Sequence, residues 1–395
     1  MAKLRIGIDG ACWANRRGYG RYTRSLLTAL AARDDGDRYF LFVDGETAND
    51  PTIPNRFEKI VVASNQPPTE AASASSRRDV TDLLRMGWAV ARRRLDVFFF
   101  PSVYTFFPLL RPLPTVVAIH DAIAENHPSL VFAQKRLAFF WRLKLRIALL
   151  QSCRVLTVSD HARDRIAEHF RLRLERIRVV LEAADPIFRP LANPRDPADL
   201  LPTCSLPRGA RYLLYVGGLS PHKNLRALIE AYRRLVASSA FPRLRLLLVG
   251  DYVGDVFNSE YEGLQALVAQ HGLGELVTFT GFIPDDVLVD LYNGAEVVVL
   301  PSLEEGFGLP AIEAAACAKP GVVSEVGPMG SLLGSAVWTF PPRDVDALTL
   351  ALDTLLRDPV RRAAMGNEGR RRALAMTWER SAAQANDLLH EAATR

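Results

Sequence analysis

The sequence predicts an α/β protein made of two doubly wound parallel-sheet domains that face each other across a cleft. Two observations predict it. Short runs rich in Val, Ile, Leu and Phe alternate with longer helical patterns along all 395 residues. These runs are continuously apolar rather than alternating, which is how strands covered on both faces read. A third observation divides the pattern in two. The stretch RPLANPRDPADLLPTCSLPRGA (189–210) holds five prolines, and proline lacks the N–H that a sheet ladder needs. It reads as a linker at 191–209, between a domain at 1–190 and a second at 210–376, with a last helix at 377–395. Each side is large enough for a doubly wound domain of its own.

Taken in order, the first half offers strands at 4–9 (LRIGID), 39–43, 59–63, 96–100, 115–119, 155–158 and 177–181. The second half offers 212–217, 244–250, 277–281, 296–301, 321–324 and 336–340. The cysteines Cys12, Cys153, Cys204 and Cys317 form no C-x-x-C pair, which fits a reducing compartment and argues against a zinc ribbon or a disulfide scaffold. The opening MAKLRIGID has no apolar segment of a signal peptide, and no apolar run reaches the roughly 18 residues of a membrane span. The expected location is therefore the cytoplasm.

The net charge is +5. Much of the excess lies in two basic stretches, 77–96 (RRDVTDLLRMGWAVARRRLD) and 135–154 (KRLAFFWRLKLRIALLQSCR). One reading is a pair of helices with solvated arginines and inward apolar residues. The other is a surface that meets an anionic partner, a membrane in preference to nucleic acid, because no DNA- or RNA-binding motif accompanies the charge.

Ligands of open α/β sheets bind beyond the carboxyl ends of the strands, so the residues after each strand carry the functional reading. After the first strand, Gly18 and Gly20 precede a helix, where bare backbone and a helix start can receive an anion. Their spacing is not that of a nicotinamide fingerprint. After the fifth strand come His120 and Asp121, at the point where the strand should open into the cleft. After the first strand of the second half, His222, Lys223 and Asn224 open a helical pattern, and a lysine at that turn suits a phosphate.

The most informative stretch is LPSLEEGFGLPAIEAAACAKPG (300–321). Pro310 suits a first helical turn. Gly306 and Gly308 leave backbone amides open to a diphosphate. Acids beside an anion site make sense when they accept hydrogen bonds from hydroxyl groups. A diphosphate with hydroxyl-rich groups on both sides describes a nucleotide sugar. The plainer reading is a helix with acids near its start.

EEGFGLPAIEA resembles the E-x7-E signature of retaining GT-B glycosyltransferases, family four in particular (glycosyl transferases group 1), with Glu305 and Glu313 as its two acids. RIGIDG…GYGRYTRSLL, TVVAIHDAI, LTVSDHARDRI, YVGGLSPHKNL, LLVGD and VTFTGFIPDD resemble further segments of that family in order, so the resemblance covers nearly the whole chain. It implies the GT-B architecture of two Rossmann-like domains, with TWERSAAQ (377–384) in a helix that crosses back to the N-terminal domain.

The resemblance also implies roles. Lys223, aided by His222, would contact the donor diphosphate. Glu305 and the amides of Gly306, Phe307, Gly308 and Leu309 would hold the sugar and phosphate. Glu313 would bind the ribose, and the backbone at Phe282 and Ile283 would bracket the base. Gly18 and Gly20 would approach the diphosphate from the first domain, with His120 near the reacting sugar.

Three places depart from the family pattern. Gly218 stands where an arginine is usual, Gly330 and Ser331 where a Pro-Glu pair is usual, and Glu182 and Ala183 where Asn-Gly is usual.

The implied reaction transfers a hexose from a UDP- or GDP-sugar to an acceptor hydroxyl of a glycan or lipid-linked molecule, with retention, no cofactor and no required metal. The D-x-D patterns at 35–37 and 344–346 read as turn or helix-start acids. The rival readings are a sugar-nucleotide epimerase or phosphorylase-like enzyme of the same architecture, and a non-catalytic sugar-nucleotide-binding scaffold.

Overall fold

The computed structural model describes residues 3–15, 18–65, 80–132, 134–204, 206–238, 240–251 and 259–394. By its internal contacts the chain forms two units. The first comprises Met1–Pro128, Phe132–Glu182 and Thr377–Arg395, and the second Ser129–Val131 and Ala183–Met376.

Among the described residues the first unit carries seven strands: β1 Arg5–Asp9, β2 Arg38–Val43, β3 Phe57–Val61, β4 Val97–Phe100, β5 Thr115–Ala118, β6 Arg154–Thr157 and β7 Ile177–Val179. They lie in the order β3-β2-β1-β4-β5-β6-β7, and every pair is parallel. The second unit carries β8 Arg211–Val216, β9 Leu244–Val249, β10 Val277–Gly281, β11 Val297–Leu300, β12 Gly321–Ser324 and β13 Val337–Phe340. Their order is β10-β9-β8-β11-β12-β13, again all parallel. The continuous apolar runs became strands because helices cover both faces: Val97, Phe98, Phe99 and Phe100 are fully buried, as are Val297, Val298 and Val299.

All thirteen expected strands form. The third begins earlier than expected, at Phe57, because β3 takes its register from β2, where Tyr39 is opposite Phe57. The expected division at 190 falls instead between Glu182 and Ala183. The proline-rich stretch packs within the second unit: the Leu191 amide donates to Asn293 Oδ1 at 2.9 Å and the Arg195 amide to Asp290 Oδ1 at 2.7 Å.

Of the two basic stretches, 77–79 lie outside the described residues; Val80–Ala91 of the first and Lys135–Gln151 of the second form helices. The final helix, Trp378–Ala393, is capped by Thr377 and belongs to the first unit. Ser381 Oγ donates to the Leu181 carbonyl at 2.6 Å, Arg178 Nη2 donates to Glu391 at 3.0 Å, and His390 Nε2 donates to Asp37 at 2.8 Å.

The order of each sheet creates a switch point where consecutive connections leave in opposite directions, between β1 and β4 in the first and between β8 and β11 in the second. At the first, Arg24 folds the loop after β1 onto the helix Gly18–Ala31 by donating to the Trp13 and Asn15 carbonyls, both at 2.6 Å. That close fold makes Gly20 a steric requirement, since a Cβ there would lie 1.9 Å from the Asn15 carbonyl oxygen, whereas a Cβ at Gly18 would meet nothing within 4 Å. Gly20→Ala is therefore expected to destabilise the protein by about 1–3 kcal/mol, the usual penalty of forced overpacking, and Gly18→Ala to leave stability unchanged. Urea unfolding of the two variants checks this; equal stability would mean that the loop yields freely.

Candidate active site

At the second switch point two loops meet. After β8 the chain makes a 3-10 turn at Pro221–Lys223, then places Asn224 in the left-handed region (φ 56°) before the helix Leu225–Ala237. Asparagine tolerates that conformation better than most residues. Its Nδ2 donates to the Pro301 and Pro342 carbonyls at 2.9 and 2.7 Å. The Leu303 amide donates to the His222 carbonyl at 2.8 Å. The loops after β8 and β11 are thus locked together by backbone and amide groups, and Lys223 and Glu305 are delivered to one place.

Lys223 Nζ donates to Glu305 Oε1 at 2.7 Å, and Ser302 Oγ donates to the same oxygen at 2.6 Å. Burial alone would push the Glu305 carboxyl up. The charge and hydrogen bond of Lys223, the Ser302 hydroxyl and the charge of His222 outweigh it, and the carboxyl stays below its ordinary value. Glu305 is therefore an ionised, oriented acceptor, and Lys223 a positioned cation. Beside them, Gly306 and Phe307 are buried, and Gly308 caps the helix Leu309–Ala316 with φ 94°. A side chain at Gly308 would be strained by that angle and would stand 3.2 Å from Met329. Pro310 sits in the first turn, as expected.

Glu313 lies on the same helix but deeper. It is fully buried, and the Tyr292 hydroxyl donates to its Oε2 at 2.8 Å. Phe282, 46% exposed, and Ile283 follow β10. Gly218 is exposed in the turn after β8.

His120 belongs to the first unit with Gly18 and Gly20. It follows β5, with Nε2 3.0 Å from the Pro101 carbonyl and Nδ1 3.7 Å from Glu182 Oε1. Burial pushes its pKa down. Glu182, the Pro101 carbonyl and Asp121 more than offset this, and the net direction is up.

Of the expected residues, the structure joins Lys223 directly to Glu305 and ties His222 to the same loop. It seats Glu313 against Tyr292, a partner the sequence reading did not name. Ser302 and Tyr292 were missed, and Asn224, expected only at the helix start, proves to tie the two loops together. Ser302 could have been found, because a hydroxyl three positions before an acid in one loop can reach it. The D-x-D acids serve the fold: Asp344 caps the helix Val345–Arg357, Asp346 pairs with Arg234, Asp35 accepts from the Tyr39 hydroxyl, and Asp37 accepts from the Leu4 amide. Among the described residues no group of three or more His, Cys, Asp or Glu side chains could hold a metal ion.

Comparison with known proteins places both halves. The family described as Glycosyl transferases group 1 matches residues 205–372, and the one described as Glycosyltransferase Family 4 matches residues 16–186. The O-antigen chain mannosyltransferase B of Escherichia coli is 29% identical over 93% of this chain and 94% of its own length. The D-inositol 3-phosphate glycosyltransferase of Rhodococcus opacus is 30% identical over 68% of this chain and 60% of its own. In fold, the chain is similar to the sucrose-phosphate synthase of Thermosynechococcus elongatus, with a TM-score of 0.75 at 23% identity over 98% and 99% of the two chains.

The Lys223–Glu305 pair yields a prediction with a definite sign. Glu305 is held below its ordinary value, so its contribution to stability is present above the unfolded carboxyl pKa, about 4.3, and is lost as pH falls through the folded value. Lys223→Met removes the cation and leaves a largely buried carboxylate, whose pKa then rises. At pH 7 a loss of about 2 kcal/mol is expected, below the 3–5 kcal/mol of a fully buried pair, because the side chains are 20% and 15% exposed. The gap to wild type should shrink between pH 7 and about pH 3, because the variant's raised carboxyl protonates first and the wild type's lowered one last. Urea unfolding at both pH values measures it; an equal deficit at both would assign the loss to packing.

Proposed function

The chain belongs to the group 1 glycosyltransferases, with a first half of the family 4 type, and on that premise we propose that it transfers a hexose from a UDP- or GDP-sugar to an acceptor hydroxyl of a glycan or lipid-linked molecule, with retention of anomeric configuration. The observation that carries this reading is the Lys223–Glu305–Ser302 cluster at the switch point beside the Gly306–Gly308 turn. A cation and an ionised acceptor held 2.7 Å apart suit a ligand that presents an anionic and a hydroxylated part side by side. Lys223, with His222, stabilises the charge that grows on the departing diphosphate. The amides of Gly306, Phe307, Gly308 and Leu309 take phosphate oxygens at a helix start. Glu305 accepts from sugar hydroxyls, and Glu313 from the ribose. Phe282 and Ile283 flank the base. By the family resemblance, Gly18 and Gly20 are donor-binding residues and His120 a catalytic one.

The anomeric carbon gains oxocarbenium character as the diphosphate leaves, as in other glycosyl transfers. The leaving phosphate itself takes the acceptor proton, and neither a metal nor a cofactor is needed. The mannosyltransferase name of the relative that spans 93% of the chain supports a mannosyl donor as the first to try. The test incubates the protein with labelled UDP- and GDP-hexoses, alone and with glycan and lipid-linked acceptors. A glycoside with the donor's anomeric configuration by NMR is the expected product; an isomerised sugar nucleotide or unchanged donor would replace this reading with one of its rivals. Glu313→Gln should weaken nucleoside-diphosphate binding about tenfold by calorimetry, equivalent to ~1.4 kcal/mol; unchanged affinity removes Glu313 from the ribose.

Acceptors carried on lipids need an enzyme that reaches a membrane surface, and the helix Lys135–Gln151 supports a peripheral one at the cytoplasmic face. Trp141, Leu145, Ala148 and Leu149 are buried, whereas Phe139, Phe140 and Leu143 are 63%, 57% and 44% exposed. Lys135, Arg136, Arg142 and Arg146 are exposed as well. Lys144 is not part of this surface, since it donates to the Tyr104 carbonyl at 3.0 Å and lies over the Trp141 ring. Exposed aromatics among basic side chains suit an anionic bilayer, each charge contributing about 1 kcal/mol. Among the described residues no helix is long and apolar enough to cross a membrane. Co-sedimentation with anionic vesicles should be salt-sensitive and lost in Phe139→Ser/Phe140→Ser; recovery in the supernatant under every condition would favour a soluble acceptor.

A further inference from the structure

Glu182 and His120 come from distant points of the first unit and meet behind the carboxyl end of β5. The His120 ring is constrained on each side. Its Nε2 lies 3.0 Å from the Pro101 carbonyl oxygen. A carbonyl only accepts, so Nε2 must carry a hydrogen. In the neutral ring the remaining lone pair would then sit on Nδ1, facing the Glu182 carboxylate at 3.7 Å, with the two side chains only 12% and 8% exposed. A lone pair and a carboxylate opposed in a nearly dry pocket repel each other, and a second proton on Nδ1 converts repulsion into attraction.

Among the described residues, the charges that act on the ring are negative. Tyr22, from the helix Gly18–Ala31, meets it edge-on with ring centroids 4.4 Å apart. Burial and then the Glu182 charge push the Tyr22 hydroxyl far up, so it stays neutral. The other charge acting on the ring, Asp121 beside it in the chain, is also negative. At 3.7 Å the Nδ1–Glu182 contact is longer than an ordinary hydrogen bond and acts as an ion pair with the protonated ring.

We propose that Glu182 is a positioning residue that keeps His120 doubly protonated, so that Nδ1–H is a charged donor toward an oxygen of the bound sugar nucleotide and His120 does not act as a base. The protonation half stands on this pocket alone; the donor half rests on the function proposed above.

Two measurements separate the halves. The first is an NMR titration of the His120 ring, assigned by its loss in His120→Gln. The wild-type midpoint should lie above the ordinary histidine value of about 6.5. In the isosteric Glu182→Gln it should fall by about one unit or more, and Glu182→Asp should recover most of the shift. A wild-type midpoint at or below 6.5, or the same midpoint in wild type and Glu182→Gln, overturns the proposal whether or not the protein is a transferase. Should Glu182→Gln not fold, the wild-type midpoint and Glu182→Asp still decide. The second is the pH profile of kcat for hexose transfer. The protonated ring is the competent form, so wild-type kcat should fall as pH rises through the His120 midpoint. In Glu182→Gln that limb should move down with the NMR midpoint, and kcat should approach wild type at pH below both. A kcat lowered equally at every pH would make Glu182 a packing residue and defeat the donor half, leaving the titration to judge the rest.

Discussion

Parallel pairing is the constraint on which everything else in this protein depends. A parallel sheet has to be covered on both faces, so its strands are apolar from end to end and leave no side chain available for chemistry. Polar function is confined to the loops, and only those at the carboxyl ends open at the switch points. The chain follows this rule in both units. Lys223 and Glu305 come from the loops after β8 and β11, the two strands that flank one switch point. The glycine turn and Pro101 come from the loops after β1 and β4, which flank the other, and His120 follows the neighbouring β5.

Holding charge at such a place has an energetic cost that neighbouring groups offset. Glu305 is little exposed, and ionisation there is sustained by a lysine and a hydroxyl on one oxygen. The lysine in turn depends on Asn224, whose left-handed backbone and two bonds to prolyl carbonyls fix the turn that carries it. The arrangement is preorganised in the sense that matters for catalysis: dipoles and charges are already oriented before a ligand arrives and need not reorganise as charge moves.

The sequence made the strands legible because burial on both faces is written in composition at every position. The charged residues of the site were legible by type and by loop, and the E-x7-E resemblance assigned them roles. Their partners were less so. Ser302 was within reach of its acid in a stretch already under inspection, but Tyr292 reaches Glu313 from another helix, and no local pattern links the two. Glu182 stood out as a departure from the family pattern, yet its meaning appears only when the fold sets it against His120. In the basic helix, the inward residues Trp141, Leu145, Ala148 and Leu149 follow a helical spacing that was readable. The apolar residues around them blurred it, and Phe139, Phe140 and Leu143 turn out to face outward.

The closure of the first unit by its last helix bears on how the protein is made. Ser381 bonds to Leu181 across 200 positions of chain, and His390 to Asp37 across 353. On the ribosome, the first unit emerges long before the segment that completes it, while the second unit's main segment, Ala183–Met376, is contiguous and can fold as it appears. The earlier unit in sequence is thus the later one to finish. Until Trp378–Ala393 arrives, the surface that its Ala382, Ala385, Leu388 and Leu389 will cover is bare, and the Arg154 and Arg178 side chains await Glu391. Distant contacts form slowly because their loops must close first. Nascent chains therefore carry an apolar, cationic surface for most of their synthesis, the kind of surface on which chaperones act and at which stalled or shortened chains associate.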